Sequence, residues 1–319
     1  MNRPDPHREA FRILRAEPSL YLVELLWRWS FGLGVLAVIF FSLPTFQHIA
    51  YLAEPDQSLL QSHDPMAVAA GIAEVMQAAR PLIVRLLVVA LPVLALLWGA
   101  ALTIGRGLTT RAIVRRLAAE RGQPEPPPLR WLAMAGISFG RVAAGFILLI
   151  GYVGGSIISS SVAGSPENPN LLASALLFLL VFGAAFAVWS VVNWFLSLAP
   201  IFALRDGLGA LDATVAAIRF VRGHRRQLRA AAGMNALLRT VAAVVLTIAG
   251  LLLIPLASAA PGWLIAVLAV LISLAYILSS DYLLLARLTG YAVIAMEAEQ
   301  GTAAAESRDM SLHSPRPAH

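Results

Sequence analysis

The sequence predicts an all-α integral membrane protein with six spanning helices and two amphipathic helices at the cytoplasmic membrane surface. Hydrophobic residues make up 59% of its 319 residues and charged residues only 13%, whereas about 25% of the residues in soluble globular chains are charged. The mean hydropathy is +0.75. Several uncharged stretches also approach or exceed the ~20 residues that a helix needs to cross a bilayer. Together these observations favour a membrane protein over a soluble one.

The absence of cysteine and the excess of arginine limit the kinds of function that the chain can have. The chain has no cysteine, which excludes disulfides, thiolate metal sites and cysteine nucleophiles. All 24 basic residues are arginine, and the net charge is +6. Such a charge can indicate nucleic-acid binding, but loop arginines in so apolar a chain set membrane topology and contact anionic headgroups. We therefore expect the lipid bilayer as a partner and no nucleic acid.

The first third of the chain predicts a lead-in helix and two spans. Apolar residues at helical spacing before residue 27 predict the lead-in helix. The first span is expected near 29–46, where eighteen residues carry no charge, and the second near 82–104. Between them lies an acidic loop with a short helix over 66–79. The organisation of the chain is then an N-terminal segment (1–26), a membrane domain (27–296) and a disordered cytoplasmic tail (297–319).

The first basic connection, residues 105–130, combines an apolar stripe with many arginines. This pattern predicts an amphipathic helix over 105–121 that lies on the membrane surface. Gly122 and the prolines that follow it are expected to end this helix. Its basic surface is formed by Arg111, Arg115 and Arg116.

The third and fourth spans are predicted near 138–161 and 171–199. Small residues recur at four-residue spacing in the third span, including Gly151 and Gly155. Such spacing lets two helix backbones approach closely in lipid. We therefore expect this span to lie at the centre of the bundle.

The second basic connection leads into the last two spans. Pro200 and an Asp206-Gly207 break come before an amphipathic run over 206–222, which predicts the second surface helix. The fifth and sixth spans are expected near 237–257 and 263–286. The basic surface of this connection is formed by Arg219, Arg222, Arg225 and Arg226.

Arginine counts predict the orientation of the six spans. One side carries four arginines in 1–26, six in 105–130, six in 203–235 and three from 287 onward, whereas the opposite connections carry one in total. The positive-inside rule places the arginine-rich side in the cytoplasm. The sequence thus predicts a bacterial inner-membrane protein with both termini cytoplasmic.

Catalytic and metal-binding patterns are missing from the sequence. No Gly-rich phosphate loop, HExxH, G-x-S-x-G or histidine with paired carboxylates is found. His48 and His63 in the acidic loop lack a compact ligand spacing. We therefore expect no enzymatic activity, no cofactor and no metal.

Four polar residues within or near the spans are candidates for a structural or functional role. Asp281 lies in the cytoplasmic third of the sixth span, and Arg141 and Arg239 are at similar predicted depth. Intramembrane charges usually face a partner or water, so we expect Asp281 to pair with Arg141 or, less favourably, with Arg239. Such a pair could align the helices or relay protons or substrate, and a charge at headgroup level is the remaining alternative. Asn193 could bond a neighbouring helix or line a polar cavity.

Residues 198–228 carry a resemblance to a known family. A proline near the end of a span, an acidic-glycine break and an amphipathic helix that closes in Arg-Gly occur here as Pro200, Asp206-Gly207, Ala213 and Arg222-Gly223. This pattern resembles the membrane domain that accompanies some bacterial glycerophosphoryl diester phosphodiesterases and also occurs in stand-alone proteins. Ala217 departs from the pattern, which commonly has serine there. The resemblance implies an integral membrane protein but no phosphodiesterase activity, because the catalytic domain has no counterpart in these residues.

Two functions are compatible with these patterns. The first is a scaffold, partner subunit or lipid-organising module whose cytoplasmic helices contact anionic headgroups or a protein partner. The second is a permease-like subunit of a transporter. A water-filled cavity that reaches Asn193 or Asp281 would favour transport, and a dry, packed bundle would favour the scaffold.

Overall fold

A computed structural model describes residues 5–52, 65–162, 164–165, 168–256 and 260–313. Within these residues the fold is all-α, and six helices are long and apolar enough to cross a membrane. The predicted fold class and the number of spans are therefore confirmed. The predicted loop histidine His63 lies outside the described residues.

The helices follow one another with short connections. Two two-residue strands between the third and fourth spans pair antiparallel, with Gly164 opposite Pro169 and Ser165 opposite Asn168. In chain order the elements are α1 (Pro6–Ala16), α2 (Pro18–Leu52), α3 (Pro65–Glu120), α4 (Trp131–Ser160), β1 (Gly164–Ser165), β2 (Asn168–Pro169), α5 (Leu171–Arg205), α6 (Ala210–Gly223), α7 (Arg225–Leu251), α8 (Leu253–Leu256) and α9 (Gly262–His313).

The lead-in helix forms as α1. Asp5 Oδ1 accepts a hydrogen bond from the backbone N–H of His7 (3.0 Å), and Pro6 occupies the first turn, where a missing N–H costs nothing. Ile13 and Leu14 lie on one face and are buried. Burial of this face against the other helices of the core holds α1 in place.

The structure corrects the predicted division of residues 66–121. The short helix, the second span and the surface helix are one continuous helix, α3, which passes through Pro81 and Pro92. Ile113 and Leu117 on the apolar stripe of its last part are fully buried in protein. The stripe that predicted a lipid-facing helix is thus covered by other segments of the chain.

The end of α3 follows the prediction at Gly122. This glycine has a φ of 64°, a left-handed conformation that glycine adopts at little cost. The N–H of Gln123 donates to the carbonyl of Ala118 (2.9 Å), which satisfies one of the carbonyls left open at a helix end.

Helices α4 and α5 pack closely along the predicted small residues. A Cβ on Gly151 would overlap Ala185 Cβ, and a Cβ on Gly155 would lie 3.2 Å from Phe178 Cδ2. Because neither glycine has a side chain, the two backbones come close together. The spacing of small residues predicted this contact.

The Asp206-Gly207 break separates α5 from α6, as the sequence predicts. Gly207 has a φ of 64°, and its carbonyl accepts a hydrogen bond from Arg130 Nη1. Helix α6 begins at Ala210, four residues later than the predicted start, and buries Ala213, Ala217 and Val221. Alanine at position 217 thus lies in a tightly packed interface.

The predicted disordered tail is also corrected. Helix α9 does not end near residue 296 but continues to His313. Residues such as Ala298 and the alanines at 303–305 favour helix, since alanine has the highest helix propensity. Residues 314–319 lie outside the described part of the chain.

The chain forms two compact units, Trp27–Ala101 and the remainder, which we call unit 2 and unit 1. In unit 2 the Trp98 ring contacts Trp27 and Phe31, with centroids 5.5 and 4.6 Å apart. In unit 1 the buried apolar residues come from α1 and from parts of α2 to α7 and α9. Leu180 and Val245 exemplify the exposed apolar residues further along α5 and α7, as expected of helices that face lipid.

Candidate functional site

The segments that the sequence places on the arginine-rich side meet in one part of unit 1. We call this part the arginine-rich end, and it consists of α1, residues 102–130, residues 196–235 and residues 281–299. Its apolar core includes Tyr291 to Met296, which are all buried, and Leu198 and Ile201 from the end of α5. Four separate stretches of chain therefore contribute to a single apolar core.

Most arginines of the first basic connection are paired inside unit 1. Among the described residues, five of the six in 105–130 contact a carboxylate or a carbonyl, and Arg111 has no ion pair there. The positive charge that the sequence assigns to the surface is thus largely compensated locally. The contacts are Arg106–Glu24 (3.2 Å), Arg115–Glu125 (3.2 Å), Arg116–Glu17 and Arg116–Glu120 (2.8 Å each), Arg121–Glu9 (3.3 Å) and Arg130 with the Gly207 carbonyl.

A chain of four charges ties α1 and the start of α2 to the end of α3. Arg12 Nη2 lies 2.7 Å from Glu120 Oε2. Arg116 donates from Nε to Glu120 (2.8 Å) and from Nη1 to Glu17 (2.8 Å). Because each carboxylate meets a guanidinium from another part of the sequence, the network fixes how these segments pack.

The pair Glu24–Arg106 is the most deeply buried charge contact described. Its side chains are 0% and 8% exposed, and the nearest atoms are 3.2 Å apart. Sequence reasoning missed both residues. The available signal was a lone carboxylate between apolar residues of the lead-in segment and a lone arginine at the end of the second span, since charges at such positions usually have partners.

Acidic residues of the C-terminal helix α9 form ion pairs with arginines of the arginine-rich end. Glu297 lies 3.9 Å from Arg121, and Glu299 lies 3.6 Å from Arg205. Arg205 also pairs with Asp206 (2.6 Å) and donates to the Ala295 carbonyl (3.0 Å). The start of the predicted tail is therefore part of the packed structure.

The second basic connection differs from the first in its pairing. Five arginines of residues 219–229 are exposed, and none of them forms an ion pair with another residue of the described part of the chain. No acidic residue occurs between Asp212 and Asp281. We call this group the free arginine cluster, and its members are Arg219, Arg222, Arg225, Arg226 and Arg229.

His224 lies within this cluster but points toward protein. Its ring stacks on Phe220 with centroids 4.5 Å apart, and Nδ1 lies 3.2 Å from the Phe220 carbonyl. The histidine therefore helps to hold the junction between α6 and α7 rather than projecting with the arginines.

Two of the four intramembrane candidates contact each other. Arg141 Nε donates to Asn193 Oδ1 (3.1 Å), which joins α4 to α5. Asp281 is buried in α9 and Arg239 is half-buried in α7. Pairing of Asp281 with Arg141 or Arg239 stays a prediction.

An open groove of about 480 Å³ runs along the end of α3. Arg111, Arg115 and Arg116 line it together with Glu17, and Leu108 and Ala112 add apolar surface. Three of the predicted basic-surface residues thus share one groove, although Arg115 and Arg116 are already paired with carboxylates. Neither Asn193 nor Asp281 lines it.

Within the described part of the chain, no group of three or more histidine, aspartate or glutamate side chains is arranged to hold a metal ion. Comparison of the chain with protein-family models, with curated proteins and with solved structures finds no match in any of the three.

Proposed function

We propose that this protein is a bacterial inner-membrane multipass protein with a non-catalytic role as a scaffold, a partner subunit or a lipid-organising module. Its interaction surface is the arginine-rich end of unit 1, which faces the cytoplasm. The arginine counts on the two sides of the predicted spans support this orientation, because basic residues are retained on the cytoplasmic side.

One observation carries the proposal. Four distant stretches of chain converge in an apolar core that is bordered by ion pairs, as in the contact of Arg12 with Glu120, which are 108 positions apart in sequence. Long-range charge pairs and buried apolar residues hold a surface in a fixed shape. A fixed, charged surface at the membrane is what a scaffold or partner subunit presents.

The resemblance of residues 198–228 to the membrane domain of glycerophosphoryl diester phosphodiesterases agrees with this role. The residues that carry it, such as Pro200 and Ala217, lie in or beside the packed core. In such a position they serve the packing of α5 against α6. The resemblance therefore supports a structural contribution of this segment to a membrane assembly.

A permease-like transporter subunit is the second candidate, and a specific contact favours it. Arg141 and Asn193 place a charge and an amide together between two membrane-length helices, and polar residues inside the membrane often mark substrate pathways. Helices α4 and α5 lie close together at Gly151 and Gly155, which argues against a wide channel between them. We therefore rank transport second.

Purification of the full chain from bacterial membranes in mild detergent, with identification of stoichiometric partners and retained lipids, distinguishes the two functions. The scaffold proposal expects retained lipids or a stoichiometric protein partner that is not an ATPase. A variant with Asn193→Leu should retain the same partners, because this substitution changes the polar contact between α4 and α5 and leaves the arginine-rich end intact. A stoichiometric nucleotide-hydrolysing partner would contradict the scaffold proposal and favour transport.

A further inference from the structure

The two basic connections are equivalent by arginine count but not by charge compensation. Arginines of 105–130 are mostly neutralised by carboxylates from α1, α2, α3 and α9. In the free arginine cluster the described residues supply no such carboxylate, and none is available in sequence from 213 to 280. Uncompensated positive charge of unit 1 is therefore concentrated on residues 219–229, where an external anion can reach it.

The exposed face of α6 has an apolar part and a basic part in line. Leu211 and Val215 are 83% and 44% exposed, and Arg219 and Arg222 follow on the same face at spacings of four, four and three residues. These four positions fall within one strip of a helix with 3.6 residues per turn. The opposite strip, Ala213 with Ala217 and Val221, is buried.

Helix α7 also has a basic and an apolar part, in the reverse order along the chain. Arg225, Arg226 and Arg229 occupy its first turns, and Leu237 and Val241 are exposed further on. Eight residues separate Arg229 from Leu237, which corresponds to about 12 Å along a helix. The arginines therefore lie where an apolar span meets the polar headgroup layer, and their stems can extend toward that layer.

An anionic phospholipid matches this surface better than a soluble acidic protein. The planar guanidinium binds phosphate oxygens in a bidentate manner. Exposed leucine and valine beside the arginines suit the boundary between headgroups and acyl chains, as in interfacial amphipathic helices. A soluble protein partner would not require apolar residues in line with the membrane-entering helix.

We propose that Arg219, Arg222, Arg225, Arg226 and Arg229, with Leu211 and Val215 beside them, bind the phosphate groups of anionic phospholipids. This inference rests on the proposed function, since it names the partner of the arginine-rich end. It also assigns the two basic connections different roles. The first holds the protein together, and the second holds lipid.

A lipid-retention measurement on the purified full chain tests the proposal. The protein is equilibrated in mixed micelles with equal amounts of phosphatidylglycerol and phosphatidylcholine, and the retained lipids are counted by mass spectrometry. Wild-type protein should prefer phosphatidylglycerol. The variant R222Q/R225Q/R226Q/R229Q should lose this preference by about tenfold or more, since each arginine near an anionic surface contributes substantially to attraction.

A matched control separates the cluster from net charge. The variant R8Q/R15Q/R111Q/R115Q removes the same number of charges from other positions of the arginine-rich end, where the arginines are scattered, and should keep the preference. A second variant, Leu211→Gln, leaves the charge unchanged and should weaken retention. Gel filtration of every variant checks that the fold is intact.

Four results would overturn the proposal. Three are seen in the lipid assay: equal loss in the control and cluster variants, no preference in wild type, and displacement of lipid by millimolar inorganic phosphate. The fourth is seen on purification from membranes in mild detergent, as loss of a co-purifying acidic protein but not of lipid from the cluster variant. The third would assign a free-phosphate site and the fourth a protein surface. The lipid assay uses isolated protein, so a negative result does not bear on the orientation or on the scaffold role. An error in the orientation would appear as a reversed topology, and an error in the scaffold role as an ATPase partner.

Discussion

Arg106 Nη1 lies 3.2 Å from Glu24 Oε1, and this buried ion pair joins the start of α2 to α3 within unit 1. Removal of one partner of a buried pair leaves the other charge without compensation in an apolar surrounding, at a cost of about 3–5 kcal/mol. The geometry makes this pair a test of how the arginine-rich end is held together.

We expect Glu24→Gln to lower the free energy of unfolding by about 3 kcal/mol. Unfolding by titration with SDS, followed by circular dichroism, measures the change. Arg115→Gln is the matched control, because the Arg115–Glu125 pair is 67% and 62% exposed and exposed pairs contribute less than about 1 kcal/mol. Equal effects of the two substitutions would contradict the role assigned to the buried pair.

Gly151→Ala should destabilise the contact between α4 and α5. A Cβ at this position overlaps Ala185 Cβ, and overpacking of this kind costs about 1–3 kcal/mol. Gly154 lies three residues further in the same helix and has no neighbour within 4 Å of an added Cβ. Gly154→Ala should therefore be neutral or stabilising by up to about 1 kcal/mol, and the same SDS titration compares the two variants.

Asn193→Ala should cost about 0.6 kcal/mol, the average measured for hydrogen bonds between membrane helices, and at most about 1.7 kcal/mol. The expected cause is loss of the Arg141–Asn193 contact. The double variant with Arg141→Gln measures the coupling, and an additive result would show that the contact contributes nothing. Substrate uptake that disappears in Asn193→Ala at unchanged stability would favour the transporter alternative.

The spans and the helix breaks could be predicted because they depend on local sequence. Uncharged length determines the six membrane helices, Gly122 and Gly207 mark the ends where a left-handed residue is needed, and the spacing of Gly151 and Gly155 indicates a close helix contact. Each of these signals depends on residues that are near one another in the chain.

The contacts of the arginine-rich end could not be predicted in the same way. Arg116 meets Glu17 across 99 positions and Arg121 meets Glu9 across 112, and arginine counts contain no information on such partners. The same cause explains why the sequence cannot show that protein covers the apolar stripe over 105–121, because a stripe covered by lipid and one covered by protein have the same pattern. It also explains why the sequence predicts a disordered tail from residue 297, since Glu297 and Glu299 are polar in sequence but form ion pairs in the fold.

The cytoplasmic position of the arginine-rich end is the central claim, and single-cysteine labelling tests it most directly. The chain has no native cysteine, so Gln227→Cys in the free arginine cluster and Val162→Cys in the connection between α4 and α5 each provide one reactive thiol. In cells whose outer membrane alone has been permeabilised, a membrane-impermeant maleimide should label Val162→Cys. It should label Gln227→Cys only after the inner membrane is also permeabilised. Labelling of Gln227→Cys from the periplasmic side, with protection of Val162→Cys, would contradict the account.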